Sequence, residues 1–157
     1  MTKRRTKAEK IGDYFDAFKQ IQHGDKVKRT GPRDGSIKTT PVVDVGPPQL
    51  EADVLKDCIK WLRNHRVMCD RHDCGAGNIA GVGFAVYGIK GSGDIHGMLR
   101  KHNGKHFEIE VKRSTGGRWS KKQQERCKRV LANNGLYFVV HGSLELEYYM
   151  KKWVTYE

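Results

Sequence analysis

The segment Gly91–Lys112, which reads GSGDIHGMLRKHNGKHFEIEVK, decides the fold of this chain. Within it, the runs Asp94–Leu99 and His106–Lys112 have the residue pattern of β-strands. Asn103 and Gly104 lie between the two runs, and this dipeptide favours the tight turn of a β-hairpin. The segment therefore predicts two strands, the first of which opens on an aspartate.

The second predicted strand carries two acids and a lysine on one side. Because strand side chains alternate between faces, Glu108, Glu110 and Lys112 point one way and the residues between them point the other. Charged groups on a packed face cost free energy unless something compensates them. A divalent cation held by Asp94 and Glu110, with Lys112 beside it, would provide that compensation.

The chain is strongly basic. Its 157 residues include 30 Lys and Arg against 18 Asp and Glu, which gives a formal net charge of +12. Such an excess favours a polyanionic partner, because each phosphate contact releases condensed counterions. Combined with the acid-bearing strand, the charge indicates metal-dependent cleavage of nucleic acid. A basic protein without such a partner is the alternative.

The sequence also bears on the cellular compartment. It contains no run of 18 apolar residues, so we expect no membrane-spanning helix and no membrane partner, and its first ten residues lack the apolar segment of a secretory signal. We therefore expect a cytoplasmic protein of a bacterium or a phage-infected host cell, with reduced cysteines. Cys69, His72 and Cys74 are close in sequence, but no Cys-x-x-Cys pair accompanies them, so core thiols are favoured over a zinc site.

Composition divides the chain into residues 1–47 and 48–157. The first part predicts a basic tail, a short amphipathic helix at Ile11–Ile21 and a polar, turn-rich linker or extended loop. The second part predicts the main domain, which has a length suited to a single core.

The main domain predicts an alternation of helices and strands, and hence an α/β fold. Besides the two strands above, the predicted elements are a helix at Gln49–Asn64, a strand at Val67–Asp70, a turn at Asp73–Asn78, a strand at Val82–Tyr87, a helix from Ser120 to about Asn134, a central strand at Leu136–Val140, and a C-terminal helix followed by a short strand. Glu51 shares the buried stripe of the first helix, although a place in the first turn would favour it through the helix dipole alone.

Five short motifs occur in one order along residues 49–142. They are Glu51 in the first helix, Arg71 before Gly75-Ala76, the run Gly88-x-x-Gly91-x-x-Asp94-Ile95-x-Gly97, the hallmark Ile109-Glu110-Val111-Lys112, and Ser120-x-x-Gln123. Each motif alone is weak, whereas the set in this order is specific. With its order of helices and strands, the chain resembles the PD-(D/E)XK nuclease superfamily and, within it, the virus-type replication–repair nuclease (VRR-NUC) group, which is related to Holliday junction resolvases.

Two positions depart from the pattern of the superfamily. Gly93 precedes Asp94, where the superfamily's name has a proline. Glu108 is a further acid on the active face, and we expect it to form a salt bridge with a lysine, with contact to a second metal as the alternative.

The resemblance implies a restriction-endonuclease-like α-β-β-β-α-β core, with a mixed sheet flanked by helices, and a catalytic ion of Mg²⁺ or Mn²⁺. Asp94, Glu110 and the backbone carbonyl of Val111 would hold the ion, and Glu51 would complete its ligands directly or through water. Lys112 would orient the attacking water and stabilise the developing charge. Gln123 would position the water or a phosphate, or would only complete a capping box with Ser120.

The basic residues are expected to contact DNA without reading its sequence. The candidates are Arg71, Arg113, Arg118, Lys121 and Lys122, together with the tail Lys3-Arg4-Arg5. Trp119 lies among them, and either stacking on an exposed base or a place in the core would explain it.

The resemblance thus implies a structure-selective DNA endonuclease, of the Holliday junction resolvase kind, that acts on branched DNA as a two-fold homodimer. Ile11–Ile21 and the aromatic C-terminus are the candidate interfaces. Two alternatives are a replication–repair nuclease acting on flaps, nicks or duplex DNA, and a basic nucleic-acid-binding protein without catalysis.

Overall fold

The structure is a computed structural model that describes residues 34–79 and 83–154, together with Thr6, Lys19 and Gln22. The chain divides into two units, Met1–Arg33 and Asp34–Glu157. The predicted basic tail and nearly all of the predicted helix at Ile11–Ile21 lie outside the described residues, so both stay predictions. Every element below belongs to the second unit.

The described part of the second unit contains short and long strands and three α-helices. The strands are β1 (Ile37–Lys38), β2 (Met68–Arg71), β3 (Gly75–Ile79), β4 (Gly83–Tyr87), β5 (Ile95–Leu99), β6 (Lys105–Val111), β7 (Arg118–Trp119) and β8 (Leu136–Val140). The helices are α1 (Glu51–Asn64), α2 (Lys121–Ala132) and α3 (Ser143–Met150). Within residues 34–79 and 83–154, no helix is both long enough and apolar enough to cross a membrane.

A four-stranded mixed sheet forms the centre of the fold, with the strand order β2-β5-β6-β8. The pairs β2–β5 and β5–β6 are antiparallel, while β6–β8 is parallel. This confirms the predicted α/β class with a mixed sheet. The prediction that Leu136–Val140 forms a central strand is wrong, because β8 pairs with β6 alone and lies at the edge. Both faces of β8 are apolar because one helix, α2, packs on one face and another, α3, packs on the other.

The larger core lies on the face of the sheet that carries the apolar residues of β6. Phe107, Ile109 and Val111 are fully buried there, against α1 and α3. Helix α1 contributes Val54 and Leu62 from a stripe of apolar residues spaced at helical intervals. The alternation read from the sequence of β6 is thereby confirmed, and the acids of β6 are left for the opposite face.

A smaller core lies on that opposite face, beneath α2. Cys127 and Val130 of the helix pack there against Tyr137 of β8, and Trp119 packs at its margin. The rings of Trp119 and Tyr137 lie 6.3 Å apart between centroids. Of the two interpretations of Trp119, its place in this core is therefore the one that the geometry favours.

Helix α2 begins where its sequence predicts. Ser120 and Gln123 form a complete capping box, in which the Ser120 side chain accepts from the Gln123 amide and the Gln123 side chain accepts from the Ser120 amide at 2.7 Å. The helix is thereby fixed in rotation, so that its first turn faces the polar side of the sheet.

The segment predicted as a turn at Asp73–Asn78 is instead largely a strand. Strands β3 and β4 form a separate antiparallel pair in which Gly75 lies opposite Tyr87. Glycine at position 75 avoids a steric clash and does not form a turn. A Cβ on Gly75 would come within 2.5 Å of the Tyr87 ring.

Residues 34–47 belong to the same unit as the main domain, whereas the sequence places the division before residue 48. Strand β1 pairs with β7, and the Val42 amide donates to the buried Glu145 carboxylate of α3 at 2.9 Å. Asp34 and Asp44 each accept from an amide two residues later, which fixes the turns between these contacts. Of the two interpretations of this turn-rich segment, an extended loop is therefore the one that the contacts of residues 34–47 favour.

The C-terminal helix is confirmed as α3, and through residue 154 the described chain contains no strand after it. All four cysteines are free thiols, and Cys58, Cys69 and Cys127 are buried. Cys74 is exposed, so the prediction of core thiols holds for three of the four.

Candidate functional site

The acids of the hallmark motifs meet at one end of the central sheet. Asp94 immediately precedes β5, and its Oδ2 accepts a hydrogen bond from the Val111 amide at 2.7 Å. Ile95 of β5 lies opposite Ile109 of the antiparallel strand β6. One residue further along, the same register places Asp94 opposite Glu110, with both side chains on one face of the sheet. Strand register therefore brings together two carboxylates that are 16 residues apart in sequence.

Glu110 is 2% exposed and is held by several donors. Its Oε1 accepts from the Lys112 ammonium and from the Gln123 side-chain amide, both at 2.5 Å. Its Oε2 accepts from the Tyr137 hydroxyl at 3.4 Å. The predicted grouping of Asp94, Glu110, Lys112 and Gln123 is thus present in the structure.

Gln123 completes the capping box and also contacts the site, while its predicted role in positioning water or a phosphate stays a prediction. Its Oε1 completes the capping box of α2, and its Nε2 donates to Glu110. The capping-box hydrogen bond holds the side-chain oxygen of Gln123. The Nε2 of the same amide group therefore points toward the Glu110 carboxylate.

Glu51 approaches the same place from the opposite layer. It is the first residue of α1 and is exposed, so the prediction that it shares the buried stripe of this helix is wrong. Its place in the first turn suits the helix dipole instead. It lies close enough to raise the pKa of both Asp94 and Glu110 by repulsion. All three predicted carboxylates therefore act on one another electrostatically.

The carboxylates are incompletely neutralised by the protein. Burial raises the pKa of Glu110 to about 7, and repulsion from Asp94 and Glu51 adds to the effect against the attraction of Lys112. Burial likewise raises the pKa of Asp94, although the Val111 amide and Lys112 oppose the rise. Such strongly shifted groups at one spot are typical of functional sites.

This shift predicts a pH dependence of folding stability. In metal-free protein, Glu110 keeps its proton up to about pH 7 when folded, but only to its ordinary value of 4.5 when unfolded. Its contribution to the free energy of unfolding is therefore complete below pH 4.5 and is lost as the pH rises through 7, by up to about 3 kcal/mol. Glu110→Gln removes this contribution.

Urea unfolding in a chelator between pH 4.5 and 7.5 measures the difference between wild type and Glu110→Gln. We expect the free energy of unfolding of the wild type to fall more steeply with pH. Parallel curves for the two proteins would contradict the raised pKa, and the shared histidines cancel in the comparison.

The donor set at this end of the sheet fits a hard divalent cation. Carboxylate oxygens are the ligands that Mg²⁺ and Mn²⁺ prefer, and the excess negative charge is what such an ion would offset. Asp94, Glu110 and Glu51 could hold it. At Val111 the structure shows the backbone amide orienting Asp94, while its carbonyl stays a predicted ligand.

A pocket of about 420 Å³ opens beside the carboxylates. Asp94 and Gln123 line it, together with Lys90, Lys122 and His72. The two lysines offset the charges of Asp73 and Asp94, which line the same pocket. An ammonium donor and a metal-binding carboxylate are therefore available side by side.

The predicted phosphate contacts divide into two groups. Arg71 lies near enough to lower the pKa of Asp94, and Lys122 lines the pocket. Arg113 instead donates to the Gly116 carbonyl within its own loop, and Arg118 holds Ser36 through two hydrogen bonds. Lys121 is exposed and packs near Gly35. Arg71 and Lys122 are thus the two that lie nearest the site, although each also forms an exposed ion pair, with Asp73 and Glu125 respectively.

Glu108 forms its salt bridge with an arginine and not with the expected lysine. It is fully buried, and both of its oxygens accept from Arg126 of α2. His106 and the Gly93 amide donate to it as well, each at 3.1 Å. These contacts, Arg126 first, outweigh the effect of burial and lower the pKa of Glu108 to about 2.

The same contacts explain why Gly93 stands where a proline would be expected. Proline has no amide hydrogen and could not donate to Glu108. A Cβ at this position would also come within 2.8 Å of the Ile109 carbonyl oxygen. The departure from the superfamily pattern is therefore compensated locally.

Several site residues were missed in the sequence. Tyr137 carried no polar signal within an apolar strand, and Arg126 was one of many basic residues on α2. Lys90 lay between two glycines of the motif and could have been noticed there.

Comparison of the chain with family models, curated proteins and solved structures finds no significant match. The fold and site define an α/β protein that joins a buried carboxylate, a half-buried carboxylate, a lysine and a glutamine at the end of a mixed sheet.

Proposed function

We propose that this chain is a metal-dependent DNA endonuclease of the PD-(D/E)XK superfamily, in or near its VRR-NUC group. One observation carries the proposal. Lys112 and Gln123 both donate to Glu110, and Asp94 lies opposite Glu110 on the neighbouring strand, where the Val111 amide holds it. Glu51 lies near enough to repel both carboxylates.

The order of elements supports a restriction-endonuclease-like core. Helix α1, strands β2, β5 and β6, helix α2 and strand β8 follow one another as α-β-β-β-α-β, and the β3–β4 pair is an insertion between β2 and β5. Asp94 lies just before the second of these core strands and Glu110 lies on the third, so the motif acids fall on neighbouring strands of the core.

The roles of the residues follow from their contacts. Asp94 and Glu110 would bind a Mg²⁺ or Mn²⁺ ion, with Glu51 completing its ligands; when bound, such an ion acidifies water and neutralises charge on the scissile phosphate. The Val111 amide and the Gln123 side chain hold the two carboxylates in place before the ion arrives. Lys112 contacts the Glu110 carboxylate, and it would orient water and stabilise the developing negative charge.

Charge supports nucleic acid as the substrate. The net charge of +12 attracts a polyanion, and Lys90 and Lys122 line the pocket next to Asp94. The finer proposal, a Holliday junction resolvase acting on branched DNA as a homodimer in the cytoplasm, is supported by the resemblance to the VRR-NUC group.

A cleavage panel tests this function. Labelled four-way junction, flap, nicked and intact duplex are incubated with the purified chain in Mg²⁺, in Mn²⁺ and in a chelator. We expect metal-dependent cutting, with symmetric paired nicks in the junction. Cutting of flaps or duplex alone would favour a replication–repair nuclease. Binding without cutting of any substrate would overturn the nuclease proposal in favour of a non-catalytic DNA-binding protein.

A further inference from the structure

Two histidines and a glutamate lie together on the polar face of the sheet, one step along β6 from the proposed catalytic site. His96 of β5 is the cross-strand partner of Glu108, and His106 precedes Glu108 by two residues on the same side of β6. One ligand atom from each of the three residues lies within 4.8 Å of the other two. We propose that these residues form a second metal site, for a borderline transition metal of the Zn²⁺ class.

The distances are close to those of a metal site. Zinc binds nitrogen and oxygen ligands at about 2.0–2.2 Å, so tetrahedral ligands lie about 3.3 Å from one another. The His106 Nε2 is 3.1 Å from Glu108 Oε1, and the His96 Nε2 is 3.8 Å from Glu108 Oε2. The His96 Nε2 is also 2.6 Å from the Ser92 hydroxyl, so metal binding would replace this contact as the ring moves toward Glu108.

The ligand chemistry distinguishes this site from the carboxylate site. Two imidazoles and one carboxylate favour zinc and related ions, whereas the all-oxygen set of Asp94, Glu110 and Glu51 favours Mg²⁺. Glu108 and Glu110 lie two residues apart on β6, which corresponds to a backbone spacing of about 7 Å. The two sites would thus bind different metals side by side.

Outer contacts hold the three ligands in position. Glu108 is anchored by Arg126 and by the Gly93 amide, and the His96 ring stacks on His72 with 4.3 Å between centroids. Such supporting contacts are what orient ligands at metal sites. The His96 and His106 side chains are 21% and 39% exposed, which leaves an ion a path from solvent.

Arg126 makes a distinctive prediction possible. Its guanidinium binds both Glu108 oxygens and places a positive charge beside the proposed ion. Removing that charge should strengthen metal binding, since the freed carboxylate gains a partner. If Glu108 and the histidines had only a structural role, the same change would weaken the fold without creating affinity for a metal.

The test is calorimetric titration of Zn²⁺ into untagged, full-length protein in excess Mg²⁺, with circular dichroism as a check on folding. We expect one Zn²⁺ per wild-type chain, affinity at least about tenfold weaker in His106→Gln and in His96→Gln, and tighter binding in Arg126→Met. Asp94→Asn, which disrupts only the carboxylate site, should bind Zn²⁺ as the wild type does.

Three results would overturn the proposal. They are wild-type affinity in folded His106→Gln, loss of Zn²⁺ binding in Asp94→Asn, and loss of binding in Cys74→Ser, which would move the ion to the exposed thiol beside His72. Absence of stoichiometric Zn²⁺ binding to both the wild type and Arg126→Met would overturn it as well. The proposal does not depend on nuclease activity, so its failure would leave the proposed function standing.

Discussion

Asp94→Asn is expected to abolish DNA cleavage while leaving DNA binding intact. The amide oxygen of asparagine can still accept from the Val111 amide, so the local structure is kept. The lost negative charge removes a principal ligand from a hard divalent cation. Because such an ion supplies several kcal/mol of transition-state stabilisation, we expect cleavage to fall at least about a thousandfold.

Asp70→Asn is the matched control for this variant. Asp70 lies on β2, is exposed, and undergoes the same change of charge and shape one strand away from Asp94. Single-turnover cleavage in Mg²⁺ and binding in Ca²⁺ are measured for both variants. Equal cleavage by Asp94→Asn and Asp70→Asn would show that the site lies elsewhere.

Lys112→Met should have the second largest effect. Lys112 is 7% exposed, and its ammonium touches Glu110 at the centre of the site. Methionine fills similar volume without the charge, so we expect cleavage to fall by about a hundredfold to a thousandfold, the loss typical of a removed electrostatic stabiliser. Metal affinity should be retained or raised, because a competing cation is gone.

Lys105→Met provides the control on the same strand. Lys105 lies at the other end of β6, where its ammonium contacts the Asn134 carbonyl and side chain. The two variants carry the same change of charge, so a general loss of attraction for DNA would affect both equally. Similar losses of cleavage in both would mean that Lys112 contributes only to the overall charge.

Local periodicity predicted the parts of the site that belong to single elements. The alternation in β6 correctly separated Glu108 and Glu110 from the buried Ile109, and the capping pattern correctly located the start of α2. These features depend on residues that are close together in the sequence, so the sequence pattern alone is enough to predict them.

Features that depend on distant partners were harder to predict. The arginine that pairs with Glu108 comes from α2, 18 residues away, and several lysines and arginines of that helix had an equal claim from sequence alone. The edge position of β8 follows from the topology of the sheet, which apolar residues on both faces do not reveal. Residues 34–47 look like a linker until their partners in β7 and α3 are known.

Anomalous diffraction from crystals grown with Mn²⁺ is the most direct test of the central claim, that positions 51, 94 and 110 share one hard cation. We expect a manganese peak in contact with the Asp94 and Glu110 carboxylates and within direct or water-mediated reach of Glu51. Saturating Mn²⁺ with no peak between Asp94 and Glu110, or with peaks only at other surfaces, would contradict it.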